Sequence, residues 1–232
     1  MNNKISNGLY FTGIFLAAFI ASGFIFRPQP QKPENFIASS SSTAISSSSF
    51  MTSSSTVVDD SFAFVDPVDV GTEIIKGVRR GIKPEHARNL AQILYNESTS
   101  TIDYPFLLAV IATESRFNTE AVSPAGAKGL GQLMPVTAQS IAKKSGIDYQ
   151  PNRLTDPQYN IQLSVKFLER LSKRFQNDCK LVAAAYNGGP GGARKYKRWM
   201  DGEIAKESVH RETLAYVDRV MEKYNSYKTR LQ

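Results

Sequence analysis

The sequence predicts a mainly α-helical domain over residues 68–232 with at most a small β-hairpin, preceded by a membrane-directed helix at 1–27 and a disordered linker at 28–67. Three observations predict it. Apolar residues recur at helical spacing in segments that open on proline or on an aspartate cap. A glycine-rich stretch at 126–131 offers the one place suited to a hairpin. Before residue 68 the composition is first apolar and then serine-rich, so no core belongs there.

At the N-terminus Lys4 precedes an uncharged run, 5–26, whose strongly apolar part is 9–26. Those residues would span about 27 Å as a helix, close to the hydrocarbon thickness of a bilayer. Ala21-Ser22-Gly23 suits a signal-peptide cleavage site, yet Phe24-Ile25-Phe26 carries the apolar run past it, which favours an uncleaved anchor. Both readings place the domain in the periplasm or another extracytoplasmic space, with inner-membrane attachment if the helix is retained. Lys4, Arg27 and Lys32 flank the segment on both sides and fix no orientation. No cysteine lies near its end, which excludes a lipoprotein anchor. The serine runs at 39–42, 46–49 and 53–55 cannot bury enough apolar surface to offset their ordering entropy and read as a flexible tether.

Helices are expected in order. Pro84 precedes the stripe Ala87, Leu90, Ala91 and Leu94. Asp103 and Pro105 start a helix that is apolar throughout 105–112 and delivers Glu114. Pro135 opens the next, through Ile141 and Ala142, with Gly146 as its stop. Asp156 and Pro157 form a cap and first-turn proline ahead of Ile161, Val165, Leu168, Leu171 and Phe175. Two more helices are expected over about 178–186 and about 207–224.

From residue 68 onward 25 Lys and Arg stand against 17 Asp and Glu, a surplus of eight positive charges. A basic domain implies an anionic partner: nucleic acid, a lipid surface or the carboxylates of a cell wall. The run Arg194-Lys195-Tyr196-Lys197-Arg198-Trp199 interleaves cations with aromatics, but no nucleic-acid motif accompanies it, so no nucleic-acid partner is expected. Cys179 is the single cysteine, which rules out an intramolecular disulfide and a Cys-rich metal site. His86 and His210 lack ligand spacing and read as surface or capping residues. No metal or cofactor is expected.

Glu114 is the candidate for chemistry. A carboxyl at the end of a helix this apolar is desolvated, which disfavours its charged form and keeps a proton available near neutral pH. That is what a general acid requires. Ser123 to Pro135 follow, with Gly126, Gly129 and Gly131 letting the backbone pass close to a ligand. Ala185-Tyr186-Asn187, then Glu212-Thr213 with Tyr216-Val217, come later.

These blocks, Glu114-Ser115, Gly129-Leu130-Gly131-Gln132-Leu133-Met134-Pro135, Ala185-Tyr186-Asn187 and Glu212-Thr213 with Tyr216-Val217, closely resemble the catalytic domain of soluble-type lytic transglycosylases. These are murein-cleaving relatives of goose-type lysozyme. The matching stretch runs from about Ile74 to Tyr224. The resemblance implies a lysozyme-like (α+β) domain and cleavage of the β-1,4 bond between N-acetylmuramic acid and N-acetylglucosamine in peptidoglycan glycan strands. In that scheme Glu114 is first acid and then base, the muramyl 6-hydroxyl closes on C1, and the product ends in a 1,6-anhydro sugar.

The same resemblance implies that Ser123, Gln132, Met134, Tyr186 and Asn187 line the sugar subsites, while Ser115, Glu212 and Tyr216 support the acid. Structural readings stand beside these: Met134 and Tyr216 as core, Gln132 as a partner for backbone, Glu212 on a solvated helix face. Arg116 departs from the family pattern, which often has a smaller residue after Glu-Ser, and bears on substrate preference rather than on the reaction. A hydrolytic muramidase or chitinase would need a residue that positions water; Asp148 and Asp156 are available, but neither lies in a recognisable block. A non-catalytic wall-binding module would have no use for Glu114. A single catalytic domain on a tether resembles small enzymes that open the wall locally for a secretion or conjugation machine, which makes such a machine an expected class of partner.

Overall fold

The computed structural model describes residues 66–232, so the expected membrane-directed helix and nearly all of the linker lie outside the described residues. Seven helices organise this part: α1 Pro67–Val78, α2 Pro84–Glu97, α3 Tyr104–Glu114, α4 Pro135–Ser145, α5 Pro157–Arg174, α6 Cys179–Met200 and α7 Arg211–Arg230. Short 3₁₀ turns sit at Pro151–Arg153 and Lys206–Ser208. The glycine-rich stretch carries only isolated antiparallel bridges, Val122 with Lys128 and Lys128 with Leu133, in place of a hairpin. Among the described residues no helix is long and apolar enough to cross a membrane.

Local chemistry explains where the helices start. Proline occupies the first turn of α1 through α5, where its missing N–H costs nothing. Aspartate side chains cap four of the helices: Asp66 accepts from Val68, Asp103 from Phe106, Asp156 from Tyr159, and Asp178 from Lys180 and Leu181. His210 caps α7, its Nδ1 accepting from the Glu212 amide at 3.3 Å. α4 ends on Gly146 in the left-handed region.

Three elements differ from expectation, the first being α7, which runs over Arg211–Arg230 rather than about 207–224. α6 does not stop at Tyr186 but bends at Gly189, whose φ of 66° and ψ of 179° are non-helical, and continues to Met200. Pro190 explains both halves: it cannot extend the preceding helix, yet its fixed φ starts a new one. α1 is an additional element. Its apolar positions, including Val68, Ile74 and Ile75, pack on α2.

α3 is the centre of the core. Phe106 through Ala112 are all buried, so this helix has no solvated face and is covered by its neighbours on every side. α7 is its main cover, tied to it at both ends: Tyr224 donates to Asp103 Oδ2 at 2.9 Å, and Tyr216 donates to Glu114 Oε1 at 2.7 Å. Phe106 meets the Tyr224 ring edge-on at 5.4 Å. α6 packs on the other flank of α7, and α5 bridges α2, α4 and α6.

Asn160, on α5 and fully buried, fixes the glycine-rich loop. Its Oδ1 accepts from Gly131 N at 2.7 Å, and its Nδ2 donates to Lys128 O at 3.0 Å and to Leu154 O at 2.7 Å. The loop must then run very close to α5. A Cβ on Gly129 would lie 2.2 Å from Leu154 O, with φ already at +73°, and one on Gly131 would lie 2.0 Å from Ser164 Oγ. Neither position admits a side chain. Asn160→Ala is expected to cost roughly 3 kcal/mol or more, because it strands three buried backbone groups at once. Urea denaturation of the two proteins measures the difference.

Candidate active site

Glu114 is the last residue of α3, and the turn that follows is unusual. Arg116 and Phe117 adopt positive φ of 52° and 61° consecutively, a conformation costly for residues with side chains. Several contacts hold it. The Phe117 side chain is completely buried, the Arg79 guanidinium donates to Phe117 O, Arg116 Nη2 donates to Val78 O at 3.3 Å, and Ser115 Oγ donates to Ile111 O at 3.3 Å. The carboxyl of Glu114 thus projects from a braced corner. Glu114 as a whole residue is half-buried.

Dense protein around that carboxyl raises its pKa from an ordinary 4.5 to about 7. Burial is the dominant cause. The Tyr216 hydroxyl and the Arg219 charge pull the value down, and the Glu212 charge pushes it up. Arg219 and Glu212 are themselves paired at 2.8 Å, so each blunts the other's effect on Glu114. Tyr216 and Tyr186 are both raised above the ordinary phenol range, first by burial and next by the Glu114 charge, so both stay protonated donors beside it.

The other expected site residues fall into three groups. Tyr216 touches Glu114 directly. Tyr186 and Asn187 fasten neighbouring elements: the buried Tyr186 donates to Gly131 O at 2.8 Å, and Asn187 Oδ1 accepts from Thr213 on α7 at 3.1 Å. Ser123, Gln132 and Met134 shape the loop. Ser123 Oγ accepts from Ala127 N at 3.0 Å, Gln132 Nε2 donates to Ala121 O at 3.0 Å and Gly129 O at 2.9 Å, and Met134 is the half-buried residue before α4. Neither Ser123 nor Glu212 is hydrogen-bonded to Glu114 in this arrangement. Met134 is not core, whereas Tyr216 is core and acid partner at once.

Sequence reasoning overlooked Arg79, Asn160 and Arg219, and quoted Thr213 only as part of the Glu212-Thr213 block without giving it a role. For Asn160 a signal existed, since it lies among buried positions of α5 and, with Ser164 four residues on, marks a polar spot in an apolar stripe. For Arg79 and Arg219, surface cations by composition, there was none. Among the described residues no group of three or more His, Cys, Asp or Glu is placed to hold a metal ion.

One half-buried glutamate kept protonatable near neutrality, with a tyrosine hydroxyl bonded to it, has the protonation behaviour that general-acid chemistry requires. The chain belongs to the Transglycosylase SLT domain family, whose model matches residues 91–208. It is 35% identical to the soluble lytic murein transglycosylase of Salmonella typhimurium over 54% of this chain and 20% of that protein. Identity to the soluble lytic murein transglycosylase of Escherichia coli K12 is 32%, over 62% of this chain and 24% of that one. The membrane-bound lytic murein transglycosylase C of Photorhabdus laumondii is 37% identical over 39% and 28% respectively. The chain thus spans about a fifth to somewhat over a quarter of the length of these relatives. The crystal structure of the 70 kDa soluble lytic transglycosylase of Escherichia coli superposes with a TM-score of 0.56 at 26% identity, over 70% of this chain and 29% of that chain. The complex of the 70 kDa soluble lytic transglycosylase with bulgecin A gives 0.53 at 27%, with the same coverage.

Because the folded-state pKa of Glu114 lies above its ordinary value, its contribution to stability is fully present below about 4.5 and is lost as pH rises through about 7. Glu114→Gln abolishes that dependence. The stability of the variant relative to wild type is expected to rise by about 2 kcal/mol across this window, less than the full linkage value because Glu114 as a residue is only half-buried. Denaturation at a series of pH values follows the difference directly.

Proposed function

We propose that this chain is a peptidoglycan lytic transglycosylase. It cleaves the β-1,4 bond between N-acetylmuramic acid and N-acetylglucosamine and leaves 1,6-anhydromuramyl ends. The observation that carries the reading is the Glu114 carboxyl with its pKa near 7 and the Tyr216 hydroxyl 2.7 Å away. A carboxylic acid so poised can give its proton to the leaving oxygen. Once ionised it is stabilised by Tyr216 and can take the proton of the muramyl 6-hydroxyl as that oxygen closes on C1. One group serves as acid and then base, and the nucleophile arrives with the substrate at high effective concentration.

Hydrolysis by an inverting or retaining route would call for a second carboxylate across the bond. The carboxylates the sequence offers for this role are engaged elsewhere. Asp148 accepts from Gln150, Asp156 caps α5 and pairs with Arg153, and Glu212 pairs with Arg219. That leaves the substrate's own hydroxyl as the best-placed nucleophile. In the same reading Gln132, Tyr186, Asn187, Ser123 and Met134 build the sugar-facing wall, and Ser115 and Glu212 tune the acid. We place the enzyme outside the cytoplasm, held to the inner membrane by residues 9–26, where it opens the wall locally for a secretion or conjugation machine.

Glu114→Gln is expected to lose roughly 10²- to 10⁴-fold in murein cleavage, the usual contribution of a positioned acid–base group. Substantial activity in the folded variant would remove Glu114 from the mechanism. Digestion by wild type in heavy-oxygen water separates the two reactions: a transglycosylase leaves the new muramyl ends unlabelled, and predominant labelling would mean hydrolysis. Tyr216→Phe deletes a donor that favours the ionised carboxyl, so the alkaline limb of the pH–rate profile is expected to move upward and the maximal rate to fall about tenfold. A profile that stays in place would make Tyr216 a packing residue only.

A further inference from the structure

Next to the braced turn lies a depression lined by Val78, Arg79, Arg80, Ser115, Arg116 and Asn118. Ser115, the residue that follows Glu114 in the chain, is part of its lining. Three of its six lining residues are arginines and none is acidic. Among the described residues none of these arginines forms an ion pair. Two are instead steadied by neutral carbonyls, Arg79 by Phe117 O and Arg116 by Val78 O, which fixes the guanidinium groups without cancelling their charge.

α7 adds to the positive field. Lys223 has a pKa held below the ordinary lysine value by burial first and by the Arg219 and Arg116 charges after it, with Glu222 opposing. Glu212 is occupied by Arg219. A cluster of unpaired, carbonyl-braced guanidinium groups is a receptor for carboxylates, whose planar oxygens match the guanidinium fork.

We infer that this depression binds the carboxylates of the peptide stem carried by the muramyl residue at the scissile bond. The inference rests on the reading of the chain as a murein-cleaving enzyme. A glycan strand is otherwise neutral near that bond, since its N-acetyl groups carry no charge, while the lactyl-linked stem places carboxylates beside the muramyl ring. An arginine-lined depression that includes the residue next to the acid in the chain offers such carboxylates a matching charge.

The test uses binding rather than cleavage. The full chain carrying Glu114→Gln is pelleted with intact murein and with murein whose stems an amidase has removed, at about 0.15 M ionic strength to screen diffuse attraction. Stripped murein is expected to bind roughly tenfold more weakly, the scale of a lost charge-assisted contact. Adding Arg80→Gln and Arg116→Gln, both exposed, should erase that preference, whereas adding Arg194→Gln and Lys195→Gln on α6 should keep it. A soluble stem tetrapeptide should compete with intact murein, and inorganic phosphate at equal charge should not.

Persistence of the preference in the Arg80/Arg116 variant would overturn the assignment, as would its loss in the α6 variant. Equal competition by phosphate would overturn it too, pointing to a general anion patch that lipid headgroups would also occupy. The product analysis with heavy-oxygen water decides the reaction independently, so failure of this pocket and failure of the transglycosylase reading are told apart.

Discussion

The hydrogen bond from Tyr216 to Glu114 joins the two helices on which the domain depends. α3 has no solvated face, so its C-terminal carboxyl is carried into surroundings where an isolated charge would be very costly. The phenol hydroxyl lowers that cost without abolishing it. The outcome is a carboxyl with its pKa near 7, neither permanently ionised nor permanently protonated. A second tyrosine on the same side of α7, Tyr224, clasps Asp103 at the other end of α3. The two contacts lie eight residues apart on α7 and eleven apart on α3, so the helices lie side by side along nearly the whole length of α3.

A second constraint fixes the glycine-rich loop. The loop after α3 has little regular structure of its own, and its bridges are isolated. Its shape comes from outside: Asn160 gathers two of its backbone groups together with the Leu154 carbonyl ahead of α5, Tyr186 takes the Gly131 carbonyl, and Gln132 closes the loop on itself. Gly129 and Gly131 make this feasible because a side chain at either would collide with α5. Polar side chains buried in this way hold one backbone arrangement in register, since each unmet partner would cost free energy comparable to a lost hydrogen bond. The loop is thus held in one arrangement by side chains from α5 and α6 rather than by a ladder of its own.

The basic surplus of the domain has a local meaning as well as a global one. Some of the cations are matched in surface pairs such as Lys197 with Asp201 and Arg198 with Glu203, which contribute little to stability. At the turn after α3 the arginines are braced by carbonyls instead. Charge left without an acidic partner there keeps its local positive field, which attracts anions and adds little to folding.

The sequence by itself determined the helices and the acid. Proline and aspartate at the starts of α2 through α5 and the stripes behind them were legible because caps and helical periodicity are local properties. Glu114 stood out since it ends an apolar run too continuous for a surface helix. Local signals failed at α6, where the glycines after Tyr186 read as an end although Pro190 restarts the helix, and at α1, whose apolar stripe went unread. Only the tertiary structure decided that Tyr216 meets Glu114 across 102 residues of chain, that Arg79 braces Phe117, and that Asn160 holds the glycine loop. A hydrogen bond between distant residues depends on how whole helices pack. Packing is set by the summed burial of many side chains, and no window of sequence contains that sum.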